Sequence, residues 1–128
     1  MSELFKQISE HVEFFGYSVK YEEGILKTEH SSKPIFWVLN IAGGVFFRAV
    51  FRLGPGAIAD RAALLDFLNQ ANGIAVVGRY RTVEDSMAVE AWYPDNYSKK
   101  SFGTFFEQYL ADINGPASAL QPLTARLF

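Results

Sequence analysis

The side chains that most often carry enzyme chemistry are sparse in this sequence. It has two histidines, His11 and His30, and no cysteine. Neither histidine is spaced with aspartate or glutamate as a metal site requires. The lack of cysteine excludes disulfides, thiolate catalysis and cysteine-ligated zinc. We therefore expect no catalytic centre, no metal site and no cofactor, and a protein that is not an enzyme.

Carboxylates and glycines offer little more. The acidic pairs Glu22-Glu23 and Glu84-Asp85 have the composition of solvated turns. A general acid needs a buried carboxyl group, and no carboxylate has an obviously apolar sequence setting. Gly54-Pro55-Gly56 precedes a helical pattern whose free N–H groups could hold an anion. It lacks the lysine and the spacing of a phosphate loop, so a plain turn is favoured.

An asparagine pair marks the point where a helical pattern gives way to a strand-like one. Asn69 and Asn72 stand three residues apart in "FLNQANGIAVVGRYRT". Such a pair is either a binding site or a junction between two elements. Gly73 can take the left-handed conformation that ends a helix, and Asn69 can satisfy backbone groups one turn earlier. We predict that Asn69, Asn72 and Gly73 form a structural helix cap.

The elements that must position these residues follow from hydrophobic periodicity. Helical spacing predicts helices over about 3–15, 55–73 and 97–115. Turn signals predict hairpins at Gly43-Gly44 and Glu84-Asp85, and a short strand and a second short extended piece on either side of Glu23-Gly24. The predicted order is a helix, a run of strands, a helix, two strands and a helix, an α+β fold with one mainly antiparallel sheet and helices packed on one face. Residues 1–115 should form a single domain, and residues 116–128 a tail that packs on the domain or on a partner.

Pairing the strands across the hairpin turns assigns their side chains to two faces of the sheet. Asn40 should face Phe47, and Arg79 should face Glu90 in an ion pair. One face is apolar and should meet the helices. The second face mixes large apolar groups with arginines, a combination typical of protein interfaces. We predict a protein interface formed by Trp37, Leu39, Phe46, Arg48, Arg52, Arg79, Arg81 and Trp92.

Two alternatives remain open for this arrangement. The C-terminal tail, through Leu120, Leu123, Leu127 and Phe128, could cover the second face in place of a second chain. The chain could also be a small-ligand-binding domain or an enzyme, with a pocket between helices and sheet. Tyr80, Tyr109 and Asn40 would then supply its polar contacts.

Bulk composition narrows the class of protein. The 128 residues are 49% hydrophobic, enough for one domain with a real core. A net charge of −2 and the lack of an RNA-recognition motif argue against a nucleic-acid partner. The N-terminus lacks the features of a signal peptide, and no apolar run approaches about 18 residues. We expect a soluble cytoplasmic protein with no membrane contact.

The chain resembles the YbjN-like family over nearly its whole length. "LLDFLNQANGIAVVGRYRTVEDSMAVEAWYPDNYSKKSFGTFFEQYL" has the family layout: a helix ending in Asn-x-x-Asn, a strand, an acidic turn, an apolar strand and a helix with aromatic anchors. "FFGYSVKYEEGILKTE" and "IFWVLNIAGGVFFRAVFRL" resemble its first helix with short strands and its central hairpin. The tail beyond Gly115 and the arginines of the second face are not family motifs.

This resemblance implies a fold similar to type III secretion chaperones, a compact α-β-β-β-α-β-β-α unit that often dimerises. The family is described as proposed sensory-transduction regulators or chaperone-like proteins and has no agreed enzymatic residues. Secretion chaperones proper tend to be more acidic than this chain. We therefore expect a non-enzymatic, chaperone-like or regulatory protein-binding domain. It should be a homodimer with a further, unidentified protein partner.

Overall fold

The structure is a computed structural model that describes residues 1–121 and 123–128. Its elements, in chain order, are α1 (Glu3–Phe14), β1 (Ser18–Glu22), β2 (Ile25–Glu29), β3 (Trp37–Ile41), β4 (Gly44–Arg52), α2 (Pro55–Ala59), α3 (Arg61–Ile74), β5 (Arg79–Val83), β6 (Ser86–Pro94), α4 (Lys99–Ala119) and α5 (Leu123–Leu127). None of the helices in these ranges combines the length and the apolar run that crossing a bilayer needs.

The strands form one antiparallel sheet in the order β1-β2-β3-β4-β6-β5. Helices α1, α3 and α4 pack against one of its faces, so the predicted α+β class and layering are confirmed. The structure adds one strand to the first run, because both segments beside Glu23-Gly24 pair as β1 and β2. It also adds the short helix α5 and divides the helix predicted over 55–73 into α2 and α3. Asp60 separates α2 from α3 and caps the latter by accepting from the Ala63 N–H.

The core explains why the chain is rich in phenylalanine. Phe102 and Phe106 stand one turn apart in α4, with ring centroids 5.8 Å apart and planes at 9°. They meet rings from the sheet, and a fully buried ring of this size contributes about 1.5–3 kcal/mol. The fully buried aromatic side chains between helices and sheet include Phe5, Phe36, Phe47, Phe67, Phe102, Phe106 and Tyr109.

The turn between β3 and β4 lies one residue earlier than predicted. Ala42 and Gly43 form it with φ angles of 54° and 77°, so Asn40 pairs with Val45 and the predicted Asn40–Phe47 pairing is wrong. Gly44 instead belongs to the strand, where a Cβ would lie 2.8 Å from Trp92 Cε2. The register thus differs from the predicted one by two positions. Because side chains alternate between the two faces of a sheet, every side chain remains on its predicted face. The β5–β6 register is as predicted, with Tyr80 opposite Val89.

Helix α4 does not stop at Asn114-Gly115-Pro116, as the sequence predicted. It continues to Ala119 with Pro116 inside it. Proline has no N–H, which leaves the carbonyl of Asp112 without its helical donor. The Tyr80 hydroxyl donates to that carbonyl and so satisfies it. The predicted boundary between residues 115 and 116 therefore falls within a continuous helix.

The C-terminal segment packs on the helical side of the sheet. Leu127 is fully buried, and its carbonyl accepts from the Gly54 N–H at 2.9 Å. The Phe128 ring meets Phe67 of α3 edge-on at 5.4 Å between centroids. The Gly54 turn is thus held by the chain end. The alternative that this segment covers the second face is wrong for the described residues.

Candidate protein-binding face of the sheet

The second face of the sheet has no helix packed on it among the described residues. Strand register places all the predicted interface residues on it, and Ile41, Val50 and Glu90 join them. Its largest apolar side chains are half-exposed: Trp37 44%, Ile41 45%, Val50 53% and Trp92 46%. Exposed apolar groups gathered on one face mark interaction surfaces more often than scattered ones do.

Trp92 is held in one orientation on this face. Its indole Nε1–H donates to the carbonyl of Ile41 at 2.8 Å, and its ring lies over Gly44. The missing Cβ of Gly44 makes this close approach possible. The ring is therefore already ordered, so a partner that contacts its exposed edge would cause little further loss of side-chain entropy.

Two other aromatic rings on this face each have a cationic side chain lying over them. Lys27 Nζ lies 4.7 Å from the centroid of the Trp37 ring, and the Arg48 guanidinium carbon lies 5.5 Å from that of Phe46. Such contacts are worth about 0.5–1 kcal/mol at exposed sites. They also fix cationic groups beside apolar surface.

Glu90 organises the arginines, but not through the predicted partner. Its carboxylate accepts from Arg48 Nε at 2.7 Å and from Arg81 Nε at 2.5 Å. Arg79 stands directly opposite, yet its Nη1 donates to the carbonyl of Gly78 at 2.6 Å. The predicted Arg79–Glu90 ion pair is therefore wrong. Arginine is long enough to reach diagonally across strands, and Arg48 meets Glu90 from β4, whose pairing local reasoning did not include.

The charge state of this cluster is set by two opposing effects. Burial of the Glu90 side chain, which is 10% exposed, would by itself raise the pKa of its carboxyl group. Hydrogen bonds from Arg81 and Arg48 outweigh burial, so the pKa is lowered. Glu90 is ionised at neutral pH, and the trio carries a net positive charge.

Comparison with known proteins is informative at the level of structure. No family model and no curated protein matches the sequence. Among solved structures, the crystal structure of YbjN from E. coli, described as a proposed transcription regulator, superposes with a TM-score of 0.69. The match covers 97% of this chain and 95% of that chain at 16% identity. The chain has the YbjN fold.

The resemblance read from the sequence is thus confirmed for the fold. At 16% identity the match to YbjN shows the fold alone. Roles for individual residues must therefore come from the geometry of this chain.

Asp112 is the buried carboxylate that sequence reasoning missed in this YbjN-like fold. Its oxygens accept from the N–H groups of Val76, Val77 and Gly78 at 3.0, 2.7 and 2.7 Å. Gln108 Nε2 donates to it as well, at 2.9 Å. Because every oxygen already has donors, Asp112 holds the α3–β5 connection and does not act as a base. Its position three residues after buried Tyr109 is the signal that could have placed it inside.

Asn72 holds the other end of the same connection. Its Oδ1 accepts from the Tyr80 N–H at 2.7 Å, and its Nδ2 donates to the Tyr80 carbonyl at 3.0 Å. Asn69 is exposed on α3, and α3 runs through Gly73 to Ile74. Gly73 has no positive φ angle, so the prediction that it caps the helix is wrong. Asn72 joins a helix to a strand rather than capping the helix.

Both histidines are engaged in packing. His11 Nδ1 lies 3.0 Å from the Tyr97 hydroxyl, and its ring meets Phe102 edge-on. Burial lowers the pKa of His11, Lys99 lowers it further, and Glu107 opposes this. His30 Nδ1 accepts from the Lys33 N–H at 3.0 Å. Within 1–121 and 123–128, acidic and histidine side chains form no group able to hold a metal.

The polar groups suggested for a ligand pocket are not brought together. Tyr80 lines a cavity between α3, α4, α5 and the sheet. Tyr109 is fully buried elsewhere and donates to the Val89 carbonyl at 2.7 Å. Asn40 is exposed near the end of β3.

Proposed function

We propose that the chain is a non-catalytic protein-binding domain, regulatory or chaperone-like, that acts through the second face of its sheet and dimerises. The observation that carries this proposal is the cluster of half-exposed Trp37, Ile41, Val50 and Trp92 on one uncovered face. Antiparallel sheets tolerate a wet face when it is polar, but this one exposes large apolar groups. A partner that covered them would gain about 25 cal/mol for each Å² of apolar area.

Preorganisation of the face supports the same function. Trp92 is fixed by the Ile41 carbonyl, and Arg48 and Arg81 are fixed by Glu90. Binding costs less when side chains are already ordered, by about 0.5–1.5 kcal/mol for each one. Tryptophan and arginine held in this way are the residue types that dominate binding energy at protein interfaces.

Charge indicates the kind of partner. The second face carries more basic than acidic side chains. Its basic residues are Lys20, Lys27, Arg48, Arg52, Arg79 and Arg81, and its acidic residues are Glu22, Glu29 and Glu90. Complementarity then favours an acidic segment that also carries apolar side chains. The chain as a whole has a net charge of −2, so the excess of positive charge is restricted to this face.

The regulatory role and the dimerisation are proposed because the chain is similar to other proteins. YbjN is described as a proposed transcription regulator, and the type III secretion chaperones implied by the resemblance often dimerise. We do not propose nucleic acid, membrane or metal as a binding partner.

Light scattering and affinity capture from the native host test this proposal together. Trp37→Ser and Trp92→Ser should lower the dimer fraction and the yield of captured partners. Leu65→Ser is the matched control, because Leu65 is 48% exposed on α3, away from this face. It should behave as the wild type. A monomeric wild type whose variants capture the same partners would sink the proposal.

A further inference from the structure

A cavity of about 430 Å³ lies under α5, bounded by α3, α4 and the ends of β4 and β6. We call it the α5 cavity. Its apolar lining is formed by Pro34, Val50, Phe51, Phe67, Met87, Ile113, Ala117 and Phe128. Its volume falls within the range of roughly 300–1,000 Å³ found for small-molecule pockets.

The cavity arises from unequal strand lengths. Pairing of β3 with β4 ends at Trp37 and Arg48, whereas β4 pairs with β6 as far as Arg52 and Ser86. The last part of β4 therefore lacks a neighbour on one side. Helix α5 closes the space there, anchored by buried Leu127.

Two hydroxyl groups of the cavity wall, those of Tyr80 and Thr124, already have hydrogen-bond partners. The Tyr80 hydroxyl donates to backbone carbonyls of α4, and Thr124 Oγ1 donates to the Leu120 carbonyl at 3.2 Å. A ligand would find few partners for hydrogen bonds inside. Its body must therefore be hydrocarbon, since an unpaired polar group buried there would be costly.

The rim of the cavity differs from its wall. Arg52 borders it, is exposed, and forms no ion pair with any described residue. No aspartate or glutamate is among the lining residues. Arginine binds carboxylates with paired hydrogen bonds, so a single anionic head at the rim would match it.

We propose that the α5 cavity binds an aliphatic carboxylate, with its chain against the apolar wall and its head at Arg52. This site lies on the helical side of the sheet and shares Val50 and Arg52, at the end of β4, with the edge of the second face, whereas Trp37 and Trp92 are not among its lining residues. Its ligand class is set by one cation at the rim and a hydrocarbon wall.

Calorimetric titration of the full chain with decanoate and with decanol, both below their aggregation limits, tests the site. Ala117→Phe fills the cavity and should abolish decanoate binding, whereas Ala119→Phe, exposed in the same helix, should not. Arg52→Gln should weaken decanoate about fivefold, as expected for an exposed ion pair, and leave decanol unchanged. Arg61→Gln is the exposed control for charge.

The proposal is overturned if the wild type does not bind decanoate, or if Ala117→Phe binds it as the wild type does. Equal weakening of decanoate and decanol by Arg52→Gln would remove the carboxylate head from the site and overturn it too. Circular dichroism checks that Ala117→Phe is folded, and Arg52→Gln, at an exposed position, keeps the test decisive if it is not.

Discussion

Glu90 and Asp112 are both buried carboxylates, yet they do different work. Glu90 meets cations from two strands, whereas Asp112 meets only neutral N–H donors. Neither could be assigned from its own neighbours in the sequence. Arg48 lies 42 positions from Glu90, and the Gly78 N–H lies 34 positions from Asp112. Partner identity of this kind depends on the assembled sheet and helices. The sequence analysis predicted neither burial, although the helical phase of Asp112, three residues after Tyr109, could have indicated it.

Asp112→Asn tests the anchoring of the α3–β5 connection. An amide nitrogen would turn a donor toward backbone N–H groups, and at least one of them would lose its partner. We expect a loss of about 1–3 kcal/mol in the free energy of unfolding, measured with urea. Asp66→Asn, exposed on α3, should stay within about 0.5 kcal/mol. Equal stabilities for the two variants would contradict the anchoring role.

The stability contributed by Glu90 should depend on pH. Its folded pKa lies below its unfolded value of about 4.3, so its contribution is present above that pH. It is lost as the pH falls through the folded pKa. Because Arg48 and Arg81 are 37% and 53% exposed, screening reduces the expected effect to about 1 kcal/mol.

Urea unfolding of the wild type and Glu90→Gln from pH 7 to pH 3 measures this contribution. The difference between the two proteins should be constant near neutrality and shrink below about pH 4. A difference that does not change with pH would mean that the carboxylate charge is not what stabilises the cluster.

At the scale of elements, local patterns predicted faces better than ends. Alternation placed Val38 and Phe47 on the core face and Trp37 and Phe46 on the second face, and a two-position slip left this unchanged. The turn itself was misplaced because Gly43-Gly44 is a good turn pair locally. The need for glycine at position 44 comes from Trp92, two strands later in sequence. The continuation of α4 past Pro116 likewise involves a contact distant in the sequence, the hydrogen bond from the Tyr80 hydroxyl to the Asp112 carbonyl.

Gly73→Ala distinguishes a helix interior from a helix cap. Gly73 lies inside α3, and a Cβ added there would have open space around it, since no atom lies within 4 Å. Alanine should therefore stabilise the fold by about 0.5–1 kcal/mol. A left-handed cap would instead be destabilised by the same change. Thermal or urea unfolding gives the sign directly, and Gly16→Ala, at a φ of 94°, should be destabilising.

For the whole molecule, the two sides of the sheet differ in what covers them. The helical side holds the core and the α5 cavity, whereas none of the described helices packs on the second face, which we propose binds a partner. The α+β class was predictable from the hydrophobic layout because that layout fixes which side each strand buries, and the YbjN fold was predicted from the resemblance to that family. The route of the C-terminus was not, because its contacts with Gly54 and Phe67 join segments far apart in the sequence.

Leu127→Ala tests whether the last residues are part of the domain. Leu127 is fully buried, so truncating it removes apolar contact and leaves a cavity, at a cost of about 2–5 kcal/mol. Leu123→Ala, which is only partly buried, should cost clearly less. Urea unfolding should show a single transition for each variant, displaced furthest for Leu127→Ala. If Leu127→Ala unfolded at the wild-type midpoint, residues 116–128 would be an appended tail, as the sequence suggested. A large displacement would instead make the C-terminus a structural member of the helical layer, in line with the burial of Leu127 and the contact between Phe128 and Phe67.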